Sequence, residues 1–111
     1  TLRFENGSQA VINFLSNGSK SYSKERMEVF SEGRILVLDN FRRLDGYGFK
    51  GFKKMKFSSQ DKGHNEQFKR FLKSIKSGGS SIISFDEVVN STRSTLAVLD
   101  SLEKGGVPVQ V

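Results

Sequence analysis

The stretch Gly63-His64-Asn65-Glu66-Gln67-Phe68-Lys69-Arg70-Phe71-Leu72-Lys73-Ser74-Ile75-Lys76-Ser77-Gly78-Gly79 decides how the rest of the chain is read. Phe68, Phe71, Leu72 and Ile75 recur at i, i+3, i+4 and i+7 and therefore form one apolar stripe, while Lys69, Arg70, Lys73 and Lys76 fall on the opposite side. The spacing predicts a helix over 64–77. Gly78-Gly79 ends it, because glycine accepts the left-handed backbone that closes a helix.

Downstream, Ser84 and Glu87 have capping-box spacing, and Ile83 and Val88 stand where a hydrophobic staple would hold the chain entry. Phe85, Val88, Val89, Thr92, Leu96, Leu99 and Leu102 continue one face, which predicts a second helix over 84–104, stopped by Gly105-Gly106. The tail Val107-Pro108-Val109-Gln110-Val111 is short and extended. Pro108 has no N–H to give to a ladder, so 107–111 is expected as an edge strand.

Upstream of the first helix, residues 1–59 read as antiparallel strands and turns. Asn6-Gly7 separates Leu2–Glu5 from Gln9–Leu15 and predicts a hairpin with a type I′ turn. Asn17-Gly18, Glu32-Gly33 and Asp45-Gly46 mark further reversals, leaving 25–31, 34–39 and 49–57 as strands. Ile35-Leu36-Val37-Leu38 is apolar at both parities and is expected to be the most central strand. The expected fold is thus α+β, a single domain in which an antiparallel sheet carries two helices packed on one face.

The chain has 111 residues, ten Phe and no Cys, enough for one modest core and too little for a disulfide framework or a thiolate metal site. No signal peptide and no apolar run of membrane-spanning length is present, so a soluble, cytoplasmic protein without a membrane partner is expected. Thr1 opens on strand-like residues, and the chain reads as an excised C-terminal piece. The net charge of +6 is local: Arg42 to Lys76 holds eleven Lys/Arg against three Asp/Glu, a net of +8, and the remainder carries a net of -2.

Candidate chemistry is sparse. His64 is solitary, whereas a zinc site needs at least three protein ligands, and no metal site or catalytic residue is expected. Asp86-Glu87 and the pair Glu25 with Glu28 suit the first turn of a helix and a strand face. Gly46-Tyr47-Gly48-Phe49-Lys50-Gly51-Phe52 is similar to the aromatic strand of RNA-recognition motifs, with Arg42, Arg43, Lys53, Lys54 and Lys56 beside it. Asp45 stands where that motif wants a basic residue, Lys50 replaces a buried aliphatic, and no helix separates the first two strands, so nucleic acid is not the expected partner. Nor is the loop a dinucleotide cradle, since no helix follows it.

Resemblance adds what these patterns lack. Gly63-His64, Phe68, Phe71, Ile75, Gly78, Ser84 to Glu87, Thr92, Leu96, Ser101, Gly105 and Val109, in this order, resemble the end of the glucose-fructose oxidoreductase and inositol dehydrogenase family (Gfo/Idh/MocA). Phe4-Glu5-Asn6-Gly7-Ser8, Glu28-Val29-Phe30, Glu32-Gly33 and the run from Arg34 to Asp39 resemble the family's preceding strands, so the likeness spans nearly the whole chain. Residues 16–26 also resemble versions in which such a domain follows a zinc-dependent alcohol-dehydrogenase-like portion.

The resemblance implies the C-terminal, substrate-side and oligomerisation domain of an NAD(P)-dependent oxidoreductase acting on a sugar, nucleotide sugar or polyol. NAD or NADP would belong to an N-terminal Rossmann domain absent here, which also holds a Glu-Lys-Pro lysine; this piece would bind no cofactor and would be inactive alone. A family acid/base His lies early in the domain, and His64 does not match it. The implied partners are the Rossmann domain and a second subunit on the sheet face. Lys20, Lys24 and Arg26, on one strand-turn-strand segment, are the candidate substrate-binding residues. The competing expectation is a free-standing basic module that binds nucleic acid or protein.

Overall fold

A computed structural model describes residues 1–111. In chain order the elements are β1 (Leu2–Arg3), β2 (Gln9–Ala10), β3 (Arg26–Ser31), β4 (Arg34–Asp39), β5 (Arg43–Tyr47), β6 (Lys54–Lys56), α1 (His64–Ser77) and α2 (Phe85–Glu103). The fold is α+β, with two antiparallel sheets and two helices. Thr1–Lys62 and Gly63–Val111 form two compact units, the first holding every strand and the second both helices.

In the first unit β3-β4-β5-β6 is an antiparallel meander. β4 is an interior strand, half-buried from Ile35 to Asp39, as its apolar residues at both parities require. The register pairs Val29 with Leu36, Leu36 with Gly46 and Leu44 with Met55. Because side chains alternate along each strand, Met27, Val29, Leu36, Leu38, Leu44 and Met55 share one face, apolar except where Ser31 and Arg34 close it at the turn end. On the other face lie Arg26, Glu28, Asp39, Arg43, Asp45, Lys54 and Lys56, with Phe30, Ile35, Val37 and Tyr47 toward one end.

The turns follow from φ. Glu32 and Gly33 both have positive φ, the type I′ geometry that lets a two-residue loop join twisted strands. At Asn6-Gly7 the expected type I′ turn does not form. Only Gly7 is left-handed (φ 84), the Gly7 N–H donates to the Phe4 carbonyl at 2.9 Å, and the Phe4 N–H donates to the Ser8 carbonyl at 2.9 Å. That is a three-residue loop with a glycine bulge, and the Asn6 side chain is used instead to accept the Ser8 N–H at 3.0 Å. The second arm is also shorter than expected: pairing covers Gln9–Ala10, and 11–15 lies outside any strand.

Asp45-Gly46 is a correction of another kind, since it lies inside β5 rather than at a reversal. Gly46 is needed for close approach: a Cβ there would lie 2.5 Å from Phe52 Cδ1. The reversal before β5 occurs at Asn40 and Phe41, both at φ 51, closed by the Arg42 N–H on the Asp39 carbonyl at 3.0 Å. The strand expected over 49–57 shrinks to β6, because 48–53 is the loop that turns β5 back, with the Gly46 N–H donating to the Lys53 carbonyl at 2.9 Å.

In the second unit α1 occupies the residues that its periodicity predicts. Its end is closed by the Gly78 N–H on the Ile75 carbonyl (3.2 Å) and the Gly79 N–H on the Ser74 carbonyl (2.9 Å). At the start of α2, Ser84 Oγ accepts the Glu87 N–H at 3.2 Å and Glu87 Oε2 accepts the Ser84 N–H at 3.0 Å. The Ser84 N–H, and the Ser84 hydroxyl that donates to the same oxygen at 2.9 Å, hold the Glu87 carboxyl below the usual glutamate range. Residues 107–111 form no strand, contrary to expectation. Instead the Ser101 hydroxyl donates to the Val107 carbonyl at 2.7 Å, and Pro108 offers no N–H to a ladder.

No side chain is fully buried, and large apolar side chains such as Phe68 (66% exposed) and Leu102 (68%) stand open. The accessible surface is 10384 Å². Two separate compact bodies sharing the same mass would expose about 7,400 Å². The excess matches the absence of a closed core in either unit.

Two substitutions test this local account. At Gly48 φ is 76 and an added Cβ would meet the Gly33 carbonyl oxygen at 2.6 Å, whereas nothing lies within 4 Å at Gly18, whose φ is not left-handed. Gly48→Ala is therefore expected to lower stability by about 1–3 kcal/mol in urea denaturation, with Gly18→Ala leaving it unchanged or slightly raised. Ser84→Ala should cost about 1 kcal/mol and reduce helical circular dichroism; retention of full helicity would show that the cap does not hold α2.

Candidate functional site

Lys20 lies in a turn over 19–22, where the Tyr22 N–H donates to the Ser19 carbonyl at 3.1 Å and the Ser19 and Ser21 hydroxyls share a hydrogen bond of 2.9 Å. Its ammonium is exposed. Lys24 precedes Glu25 and adds to the field that favours that carboxylate. Arg26 opens β3, and its Nε and Nη2 donate to Glu28 Oε1 at 3.0 and 2.7 Å. This hydrogen bond raises the Arg26 pKa, with the Glu28 charge and the nearby Tyr22 and Asp39 adding to it. No bonded contact joins the three residues, and Arg26 has a carboxylate partner of its own.

A second set of residues escaped the sequence reading. Glu25 Oε1 pairs with Lys62 Nζ at 2.5 Å, and Gln60 Nε2 donates to Asn40 Oδ1 at 3.0 Å and to Glu25 Oε2 at 3.3 Å. Backbone bonds fasten the same segment: the Phe57 N–H to the Arg42 carbonyl (2.8 Å) and the Asp61 N–H to the Phe41 carbonyl (3.0 Å). The Arg42 guanidinium donates to the Ser58 carbonyl at 2.8 Å, and Lys62 Nζ lies 5.5 Å from the centre of the Phe41 ring. These contacts clasp 57–62 to the β4–β5 turn and surround Phe41, whose left-handed backbone is unfavourable for a bulky residue by roughly 1–3 kcal/mol. The partners are 15 to 37 residues apart, so no local pattern announces them. The one sequence signal is Asn40, a residue type that tolerates the left-handed region.

The clasp is structural in its chemistry. The Lys62 hydrogen bond holds the Glu25 carboxyl below the usual glutamate range, which makes it a poor general base near neutral pH. On the charged sheet face Arg43 Nε meets Asp45 Oδ2 at 2.6 Å, raising the Arg43 pKa through that hydrogen bond. Asp45 is the best shielded ion-pair member, 15% exposed. No group of three or more His, Asp or Glu side chains is arranged to hold a metal, and His64 begins α1. No helix is long and apolar enough to cross a membrane.

The glycine-aromatic loop spends its rings on itself. Phe49 and Phe52 meet edge to face with centroids 6.2 Å apart, and the Arg34 guanidinium lies 5.7 Å from the Phe49 ring centre. Tyr47 is the one ring of that run left exposed, which makes no stacking platform of the kind single-stranded nucleic acid uses. On α1 a shallow open depression is lined by Lys69, Leu72, Lys73, Lys76 and Ser77, a helix flank without converging polar groups. No family model, curated protein or solved structure matches the chain.

The clasp makes a pH prediction. Because Glu25 is lowered in the folded state, its contribution is present above the unfolded glutamate range and is lost as pH falls through the lowered value. Lys62→Met should move the Glu25 carboxyl titration upward in NMR and speed amide exchange over 57–62. An unchanged Glu25 titration would mean that the pair does not form in solution.

Proposed function

We propose that the chain is the C-terminal, substrate-side and oligomerisation domain of an NAD(P)-dependent oxidoreductase of the Gfo/Idh/MocA type, acting in the cytoplasm on a sugar, nucleotide sugar or polyol. The observation that carries this reading is the two-faced sheet. Its apolar face, with Met27 and Val29 about half exposed, suits closure inside a larger enzyme. The opposite face mixes both signs, as in Arg26 with Glu28 and Arg43 with Asp45, and ends in Phe30 and Tyr47. Such a mixed face is self-complementary under a two-fold axis, which suits a second subunit.

In this reading the N-terminal Rossmann domain supplies NAD or NADP and the catalytic lysine, and this domain supplies a wall of the substrate cleft. The order of motifs from Phe4 to Val109 supports the assignment, as does the β-meander followed by a helix with a glycine stop and a helix with a capping box. Lys20 and Lys24 contribute exposed cations for a polar or anionic substrate, and Arg26 contributes its charge through a side chain already oriented by Glu28.

The reading frame upstream of Thr1 is the first test: an in-frame glycine loop and Glu-Lys-Pro motif are expected, and a start codon directly before Thr1 would sink the assignment. In the full-length enzyme, Lys20→Ala with Lys24→Ala should raise KM for substrate about tenfold while kcat stays within about twofold, the signature of lost uniform binding. Unchanged KM would remove these lysines from the cleft.

A further inference from the structure

Residues 11–15, Val-Ile-Asn-Phe-Leu, lie outside any strand, helix or turn. They continue β2 beyond its two paired residues, and their apolar side chains are open to solvent, Phe14 at 93% and Ile12 at 71%. Five such residues in water form a segment of high β-propensity that tends to find an edge. The same unit offers one. β3 pairs with β4 along one side only, which leaves the backbone N–H and C=O groups of alternate residues in this six-residue strand on its outer side.

We infer that residues 11–15 close onto the outer edge of β3 as a fifth antiparallel strand, a strap folding back on its own sheet through residues 16–25. The side-chain pattern fixes the register. Ala10, Ile12 and Phe14 form a wholly apolar parity, whereas Asn13 sits on the other, so Ile12 and Phe14 belong beside Val29 and Met27 on the apolar face. This sets Phe14 opposite Met27, Asn13 opposite Glu28, Ile12 opposite Val29 and Val11 opposite Phe30. A slip of one residue would put Phe14 and Ile12 on the charged face.

Both edges were open to it, and the chain favours β3. β6 has three residues, two of them lysines, and its sequel is already clasped to the β4–β5 turn. The ten-residue link over 16–25 is flexible enough to reverse direction, and tethering gives the strap a local concentration that a second molecule would not match. Closure also holds both ends of the link, and with it Lys20 and Lys24, on the sheet edge that begins at Arg26.

These 111 residues contain no cysteine, so paired cysteines introduced into them report closure directly. Asn13→Cys with Glu28→Cys, and Ile12→Cys with Val29→Cys, are neighbouring cross-strand pairs, and one of the two is the non-hydrogen-bonded kind whose Cα spacing suits a disulfide. Mild oxidation of dilute protein should give an intramolecular disulfide in one of them, and none in Ile12→Cys with Glu28→Cys, which would point to opposite faces. Amide exchange on the unsubstituted chain gives an independent readout, with alternate amides of 11–15 slowed at least tenfold relative to 17–19. Cross-links only between molecules, equal cross-linking of the off-register pair, or free exchange throughout 11–15 would overturn the proposal.

Discussion

The four-stranded sheet of the first unit depends on the register of β4 with its two neighbours. Arg34–Asp39 is hydrogen-bonded on both sides, to β3 through the pairs from Arg26–Asp39 to Ser31–Arg34 and to β5 through those from Ile35–Tyr47 to Asp39–Arg43. Since side chains alternate with a period of two, this register alone collects Met27, Val29, Leu36, Leu38, Leu44 and Met55 on one side and the Arg26–Glu28 and Arg43–Asp45 pairs on the other. A slip by one residue in either ladder would set carboxylates beside leucines. The type I′ turn at Glu32-Gly33 and the left-handed pair Asn40-Phe41 hold the two ladders in phase.

The second of those turns requires support that the first does not. Glycine takes up the left-handed backbone freely, whereas Phe41 has a Cβ that crowds its own carbonyl there. The surrounding contacts are concentrated accordingly: two backbone hydrogen bonds from 57–61, the Gln60 amide on Asn40, and the Lys62 ammonium shared between Glu25 and the face of the Phe41 ring. The clasp thus stabilises a turn that its residues would not choose, and it keeps Glu25 ionised while doing so.

Salt bridges between half-exposed groups, such as Arg26–Glu28, contribute little to stability in water, so the charged face does little to hold the sheet together. The apolar sheet face, like the helix stripes of the second unit, leaves large apolar side chains open to solvent, so their burial contributes little to stability here.

Elements governed by neighbours in the chain were legible from the residues. The bounds of α1, the capping box of α2, the Glu32-Gly33 reversal and the interior place of β4 each follow from spacing, propensity or a left-handed glycine within a few positions. Where the reading failed, distant partners decided. Asp45-Gly46 looks like a turn but is strand, because the glycine makes room for the Phe52 ring. Lys20, Lys24 and Arg26 were visible as a run of cations, yet the Glu28 carboxylate that takes up Arg26 becomes relevant only once a strand puts residues two apart on one side. The clasp of Glu25, Asn40, Gln60 and Lys62 left no local trace, since its members meet only after three reversals of the chain. Sequence by itself determined helices, caps and the alternation of the strands, which are local free energies; tertiary structure alone decided which faces were formed and which charges met, because those energies exist only between residues that folding brings together.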